Sequence, residues 1–211
     1  MTYEKDDFSI NEIDAFITSH QLASLVTFNK DQLKVIHIPL QFSHTPLPHG
    51  TLKGHVECSN DILDDLSENI EALAIFHGPE GYVSPSWYPS KKESEKVVPT
   101  WNYAKLHIYG KIRIRNEKSW ILSHLNTLTN LREAGFEKPW TIKDAPEDFI
   151  DKLTDHIQGI EIAITRITGK FKLGQNRSEA DKKGVIEALR SSSNDGCSEL
   201  ADLVEQTFEN S

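Results

Sequence analysis

VPTWNYAKLHIYGKIRIR, residues 98–115, carries the clearest structural pattern in the chain. Successive side chains of a β-strand point to opposite faces of the sheet, so alternate residues share a face. One face is aliphatic apart from a glycine: Leu106, Ile108, Gly110, Ile112 and Ile114. The other face is aromatic and basic: Trp101, Tyr103, Lys105, His107, Tyr109, Lys111, Arg113 and Arg115. The alternation predicts one long strand that starts after Pro99, because proline cannot donate a ladder hydrogen bond.

The aromatic and basic face of this strand has two interpretations. No Asp or Glu occurs between Val98 and Arg115, although the whole chain has a net charge of −9. Such a face could seat a small aromatic anion, but a solvated strand face with long side chains gives the same pattern. Gly110 interrupts the aliphatic face, which predicts a bulge or a bend of the kind that a closing barrel needs.

Length and composition indicate one large domain. The chain has 211 residues, of which 37% are hydrophobic, and this length is sufficient to bury a core. Its 23 Lys and Arg against 32 Asp and Glu disfavour wide contact with a nucleic-acid backbone. The sequence has no apolar run of membrane-spanning length, no apolar signal core and only two cysteines. We therefore expect a cytoplasmic protein without membrane contact and with reduced thiols.

Short apolar segments precede the long strand. Their pattern predicts strands at residues 22–28, 33–40, 51–56, 72–77 and 82–84. Ser9-Ile10-Asn11-Glu12 has the form of a capping box and predicts a short helix before the first of these strands. This density of strands with short connections favours an antiparallel barrel or sandwich.

The second half of the chain is predicted to be mainly helical, with one further strand. Helices are expected at 117–133, after 144–146, from 178 to 189 and at 198–208. The strand at 160–167 must return to the early sheet, because one strand alone is not stable. Glu161 in that strand is either an outward residue or a buried partner for a cation.

The C-terminal segment is separated from the rest by a polar stretch. Residues 191–196, SSSNDG, are typical of a flexible break. We therefore predict a domain of residues 1–190 and a segment of residues 191–211. The amphipathic helix of that segment packs either on the body of the protein or on a partner.

Motifs for common catalytic and metal chemistry are absent from the sequence. The nine histidines form neither an HxH nor an HxxxH pair, which predicts no zinc or iron site. His37, His55, His77 and His107 lie on or beside predicted strands, where a locally bonded histidine is the simpler interpretation. GKFKLGQNR at 169–177 is either a solvated loop or part of an anion site, because Lys and helix-start N–H groups favour phosphate.

Two distinctive motifs, FHGPEGYVSPSWYPSK at 76–91 and VPTWNY at 98–103, point to a known family. Shorter motifs accompany them in order, at 52–56, 139–140, 144–146, 159–162 and 169–177. Together they resemble the PaiB-type FMN-binding negative transcriptional regulators, over residues 1–189. The resemblance implies an α+β fold: an antiparallel split β-barrel of the FMN-binding split-barrel type with peripheral helices. It also implies a homodimer with FMN at the subunit interface.

The resemblance further implies a set of flavin-binding residues. The phosphate-side candidates are Lys53, His55, Ser59 and Asn60, with His37 and Pro39 along the ring. Candidates for lining the same cleft are Trp101, Asn102 and Tyr103, and the second basic cluster adds Lys172, Gln175 and Asn176.

Two positions depart from the family pattern. Cys58 stands where the family usually has Arg, and Gly174 stands where it usually has Ser. A charge-assisted hydrogen bond to phosphate contributes about 1.5–3 kcal/mol, and Glu57 adds a like charge close by. The sequence therefore predicts FMN binding that is weak or absent, and tightened by Cys58→Arg by about one to two powers of ten.

Three functions are open at this point. The first is a flavin-binding regulator that acts indirectly, through metabolism or a protein partner. The second is an FMN-dependent oxidoreductase of the flavin-reductase or pyridoxamine-phosphate-oxidase type. The third is a haem-binding split-barrel protein with a histidine ligand. No residue is an evident general acid or base, so an enzyme would depend on its cofactor. The acidic charge and the lack of a helix-turn-helix pattern disfavour direct binding of nucleic acid.

Overall fold

The computed structural model describes residues 2–29, 32–46, 48–65, 70–194 and 196–208. The strands are β1 (Tyr3–Lys5), β2 (Leu22–Asn29), β3 (Gln32–Pro39), β4 (Gln41–Ser43), β5 (Thr51–Glu57), β6 (Ile70–Val83), β7 (Thr100–Arg115) and β8 (Ile157–Lys172). The α-helices are α1 (Ile10–Ser19), α2 (Lys91–Ser94), α3 (Lys118–Glu133), α4 (Glu147–Thr154), α5 (Glu179–Arg190) and α6 (Cys197–Gln206). Short 3₁₀ helices occupy Asp61–Asp65, Pro85–Trp87 and Ile142–Asp144.

The strands form one eight-stranded sheet. Their order is β3-β2-β6-β7-β8-β5-β4, and β1 pairs with β8 outside this path. β5 and β8 are antiparallel, with Leu52 opposite Ile162 and Gly54 opposite Ile160. This pairing confirms that the late strand returns to the early part of the sheet.

β7 confirms the long strand predicted from the alternating sequence. Its residues are alternately buried from Asn102 to Ile112, while Trp101 and Lys111 are exposed. The strand continues through Gly110, where an added Cβ would lie 2.4 Å from the carbonyl oxygen of Ala163. The close approach of β8 therefore explains this glycine, rather than the predicted bulge or bend.

Two predicted boundaries were wrong. The strands predicted at 72–77 and 82–84 are joined in the single strand β6, which ends at Val83 and includes the buried Gly78 and Pro79 despite their breaker character. β8 extends beyond 160–167 and includes the first residues of the second basic cluster. β1 pairs with this extension, with Tyr3 opposite Phe171. A strand as short as β1 has too little periodicity to be recognised in the sequence.

The chain divides into two compact units. The first comprises Met1–Phe8, His77–His107 and Thr168–Ser211, and the second comprises Ser9–Phe76 and Ile108–Ile167. β6, β7 and β8 each contribute residues to both units.

The first unit has a core built around α5 and α6. Buried apolar side chains of this core include Val83, Leu189, Leu200 and Val204. α6 therefore packs on the body of its own chain, which the sequence had left open. Residues 195 and 209–211 of the C-terminal segment are outside the described residues.

The second unit positions the candidate site. The inward side chains of its strands, among them Leu25, Ile38, Leu52 and Ile162, are almost fully buried. Glu161 points the other way and accepts a hydrogen bond from Arg115, with Oε1 2.5 Å from Nη2. Glu161 is therefore an outward, partly buried residue that pairs with a cation, which combines parts of the two interpretations.

Candidate functional site

The outer face of β5 carries the polar residues of the candidate site. Leu52, Gly54 and Val56 of this strand are buried in the core, so the intervening Lys53 and His55 point to the opposite side. Helix α3 contacts β5 on that side and buries its own Ile121 and His124.

Two histidines from distant parts of the chain meet under α3. The Nδ1 atom of His55 lies 3.1 Å from Nε2 of His124, within hydrogen-bond distance. The indole of Trp120 stacks on the His124 ring, with 5.5 Å between centroids and 23° between planes. Gly159 leaves room for this indole, since a Cβ at that position would lie 2.3 Å from it. Together Trp120 and Gly159 fix the orientation of the histidine pair.

Both histidines are held uncharged. Burial lowers the pKa of His55 from its ordinary value of 6.5. The pKa of His124 is lowered to about 4, first by burial and then because a protonated His124 would be repelled by a protonated His55 and by Lys53. At neutral pH the pair is therefore a hydrogen bond between two neutral imidazoles.

A cavity of about 670 Å³ lies on the His55 side of this pair. Its walls are mainly apolar and come from α3, α4 and the segments next to them: Leu125, Trp140, Ile142, Ile150, Leu153 and Ile157. Its polar side includes His55, Glu57, Cys58 and Ser59. No Lys or Arg is among the described residues that line this larger cavity.

A smaller cavity of about 350 Å³ lies on the His124 side. Part of its wall is apolar, from Ile17, Phe42, Trp120 and Leu131. The rest includes these hydroxyl and amide side chains: Thr18, Gln21, Gln41, Ser43, Ser123 and Thr127. Among the described lining residues, Lys53 is the one Lys or Arg and Asp14 is the one carboxylate.

A second cation lies beside the smaller cavity. Arg132 donates to Oε1 of Gln21 at 2.5 Å and to the carbonyl oxygen of Thr18 at 3.1 Å. Within the described lining Lys53 and Asp14 balance, and Arg132 adds a positive charge beside it, whereas the described lining of the larger cavity has Glu57 and no Lys or Arg.

The predicted site residues of the second unit lie in four places. His37 and Pro39 are exposed on β3, where His37 Nδ1 is 3.1 Å from the hydroxyl of Ser24. Lys53 lines the smaller cavity and His55 the larger one. Ser59 also lines the larger cavity, and its hydroxyl donates to Glu57 at 3.3 Å. Asn60 caps the following 3₁₀ helix by accepting from the backbone N–H of Ile62.

The remaining predicted site residues belong to the first unit. Trp101 is exposed at the start of β7, and its ring is edge-on to Tyr82. Tyr103 is half-buried, whereas Asn102 is fully buried, because its position in the strand points inward.

The predicted residues of the second basic cluster also lie in the first unit. Lys172 is the last residue of β8. Gln175 closes the next turn through hydrogen bonds to the backbone of Leu173 and Phe171, and Asn176 is exposed in that turn. The turn thus uses the Gln175 amide for its own backbone.

Sequence reasoning missed His124, Trp120 and Arg132. His55 and His124 are 69 residues apart, so no local spacing could pair them. One local signal was present, because Trp120 and His124 are four residues apart and share one face of α3.

The described residues contain neither a cluster of metal-binding side chains nor a membrane-spanning helix. Within the described residues, no three His, Cys, Asp or Glu side chains are placed to hold a metal ion. In the same part of the chain, no helix combines the length and apolar character needed to cross a membrane.

Known proteins resemble this chain over most of its length. An uncharacterized protein of Emericella nidulans is 32% identical, with 95% of this chain and 94% of that protein covered. The Protease synthase and sporulation protein PAI 2 of Bacillus subtilis is 29% identical, with 92% of this chain and 90% of that protein covered.

The fold matches a solved flavoprotein structure. The FAD and Heme binding protein from Mycobacterium smegmatis superposes with a TM-score of 0.56 at 15% identity, covering 81% of this chain and 74% of that one. This likeness concerns the fold alone, and it confirms the predicted α+β antiparallel split barrel with peripheral helices. Residues 2–166 match the family described as "Putative FMN-binding domain". Because this match covers well over half of the chain, the protein belongs to the FMN-binding domain family and is a homologue of the PaiB protein of Bacillus.

Proposed function

We propose that this protein binds FMN with the phosphate held at Lys53 in the smaller cavity. We further propose that it acts as a homodimer and influences gene expression without reading DNA itself. The observation that carries the proposal is the position of Lys53, a half-buried cation on the wall of a cavity that also presents hydroxyl and amide groups, in a member of an FMN-binding family. Bound FMN supplies electron and hydride transfer, while the chain supplies binding and orientation.

The two cavities differ in their fit to a phosphate group. A phosphate needs cations and hydrogen-bond donors, and the smaller cavity offers the Lys53 ammonium together with hydroxyl and amide groups. The larger cavity offers the carboxylate of Glu57 and, among its described lining residues, no Lys or Arg. Its Ser59 hydroxyl already donates to Glu57. The residues present therefore favour the smaller cavity for the phosphate end.

Comparing FMN with riboflavin tests this placement, because the two differ by the phosphate alone. In Lys53→Met, loss of one charge-assisted hydrogen bond is expected to weaken FMN binding by about tenfold to a hundredfold. Riboflavin affinity is expected to stay within about twofold. Lys111→Met is the matched control, since Lys111 is an exposed lysine of β7 and its loss changes the net charge equally. Flavin fluorescence quenching measures both affinities.

Equal losses for FMN and riboflavin in Lys53→Met would contradict the phosphate assignment. No binding of either flavin by the wild-type protein would contradict the proposed function as a whole. The visible absorption spectrum of the protein as purified distinguishes a flavin from a haem.

An exposed apolar face supports the homodimer. The outward side chains of β2 and β3 are aligned across the ladder, with Phe28 opposite Leu33 and Leu22 opposite Pro39. Leu33 is 70% exposed and Phe28 is 59% exposed. Apolar side chains that adjoin one another on a surface favour burial by a partner. His37 lies on the same face, so a second subunit there would cover one of the predicted ring-side residues.

Light scattering tests the homodimer. The wild-type protein is expected to have the mass of a dimer at micromolar concentration. Leu33→Lys should shift it toward monomer, and Lys111→Met serves again as a surface control. A monomeric wild-type protein over the micromolar range would contradict the proposal.

The charge distribution supports an indirect effect on gene expression. Two cations of β7 are paired with carboxylates: Lys105 with Glu80 at 2.5 Å, and Arg115 with Glu161 at 2.5 Å. These pairs leave less positive charge for phosphate contacts than the sequence of the strand suggests. Fluorescence anisotropy is expected to detect no sequence-selective duplex binding at about physiological salt. Submicromolar, sequence-selective binding would instead support a direct repressor.

A further inference from the structure

We infer that the larger cavity is a second binding site, which takes an uncharged aromatic molecule that carries one hydrogen-bond acceptor. The inference rests on the proposed function in one respect, because it takes the larger cavity to lie outside the FMN site, and the quinoline experiment with FMN-saturated protein tests that point separately. Four features carry it: the size and walls of the cavity, its charge, the hydrogen-bond donor at His55, and the anchoring of Trp140.

The cavity has the size and walls of a small-molecule site. Its volume of about 670 Å³ lies within the range of roughly 300–1,000 Å³ that is usual for ligand pockets. Trp140 and Leu153 line it and are nevertheless 43% and 49% exposed. A molecule between them would bury an indole and an aliphatic side chain, and an aromatic ring suits the indole best.

The charges of the cavity select against anions. Glu57 lines it, and no described lining residue is a Lys or Arg that could offset this carboxylate. An anionic ligand would therefore be brought beside a like charge without a Lys or Arg to compensate it; the basic side chains of the described lining are the imidazoles of His55 and His156. An uncharged molecule avoids this cost.

The histidine pair places a donor at the polar side of the cavity. Nδ1 of His124 is buried and has no hydrogen-bond partner among the described residues. A buried N–H without an acceptor is costly, so the proton of His124 belongs on Nε2, where it donates to Nδ1 of His55. Neutral His55 then carries its own proton on Nε2, which points away from His124. Since the His55 ring lines the larger cavity, this N–H is available to an acceptor on a bound molecule.

The aromatic wall is anchored rather than loose. The backbone N–H of Trp140 donates to the carboxylate of Glu133 at 2.9 Å. Thr141 and Asp144 form a reciprocal capping box immediately after it. These bonds fix the backbone at Trp140 and so position the base of the indole side chain.

Quinoline and quinoline-6-carboxylate are suitable probes, because they share one aromatic body and one ring-nitrogen acceptor but differ in charge. We expect quinoline to bind the full-length protein saturably at one site in isothermal titration calorimetry. The carboxylate should bind at least tenfold more weakly, and Glu57→Gln should narrow that difference. Binding of quinoline should be unchanged in protein saturated with FMN.

Trp140→Ala and its control Phe136→Ala test whether quinoline binds in the larger cavity. Trp140→Ala is expected to weaken quinoline binding by about two- to tenfold through loss of ring stacking. Phe136→Ala is the control, because Phe136 is an exposed aromatic residue of the same segment that does not line the cavity. Both positions are on the surface, and circular dichroism verifies that the variants fold.

Several results would overturn the inference. They are the absence of saturable quinoline binding, equal affinity for quinoline and its carboxylate, and equal effects of the Trp140 and Phe136 variants. Competition between FMN and quinoline would also overturn it, because the larger cavity would then belong to the flavin site.

Discussion

His124→Gln is expected to remove a part of the acid sensitivity of this protein. The buried His124 ring accommodates a neutral imidazole, stacked on Trp120 and hydrogen-bonded to His55. Glutamine can still donate a hydrogen bond to His55 but cannot take up a proton in this pH range. The change in the free energy of unfolding with pH, compared between wild type and His124→Gln, therefore isolates the protonation of His124.

The sign and the size of the effect follow from the pKa of His124. It is 6.5 in the unfolded chain and about 4 in the folded protein, owing first to burial. Above pH 6.5 the ring is neutral in both states, so its protonation does not reduce the free energy of unfolding. Between these two values the unfolded chain binds a proton that the folded protein does not, so the free energy of unfolding falls as the pH falls. The whole difference corresponds to about 3 kcal/mol, and His55 changes in the same direction because burial lowers its pKa too.

Urea unfolding at about pH 7 and about pH 4.5 measures this effect. Between about pH 7 and about pH 4.5, the free energy of unfolding of the wild-type protein should fall by about 2–3 kcal/mol more than that of His124→Gln. Carboxylates titrate in both proteins and cancel in the comparison. His49→Gln, the same substitution at an exposed position, should behave like wild type. Equal losses in wild type and His124→Gln would refute a buried neutral imidazole at this position.

Three further predictions concern single side chains. With the phosphate in the smaller cavity, Cys58→Arg should change FMN affinity by less than about twofold, and a tightening of about tenfold or more would return the phosphate to the turn after β5. Glu161→Gln should lower the free energy of unfolding by about 1–3 kcal/mol in urea titrations, because Arg115 loses its charged partner, and no change would contradict a stabilising pair. Gly159→Ala should lower the free energy of unfolding by about 1–3 kcal/mol, since a Cβ would lie 2.3 Å from the Trp120 indole. A wild-type melting temperature in this variant would contradict that close contact.

The local elements of this fold were readable from the sequence because each depends on nearby residues. The alternation from 98 to 115 required a strand with one buried face, and β7 has that face. The Ser9–Glu12 capping box closes as its spacing predicts, with Glu12 N–H bonded to the Ser9 hydroxyl. The motif resemblance added the split barrel and the FMN-binding family, which no periodicity could supply.

The tertiary structure alone decided what lies across from each side chain. β1 exists as a strand because β8 gives it a partner, and Gly110 is explained by the approach of the Ala163 carbonyl oxygen. His55 and His124 meet only because α3 covers the outer face of β5. The sequence by itself determined which positions could be buried and which segments could be helix or strand, since both depend on periodicity and local capping. Pairing, cavity shape and the lowered pKa of His124 depend on contacts between residues far apart in the chain, and these exist only once the chain has folded.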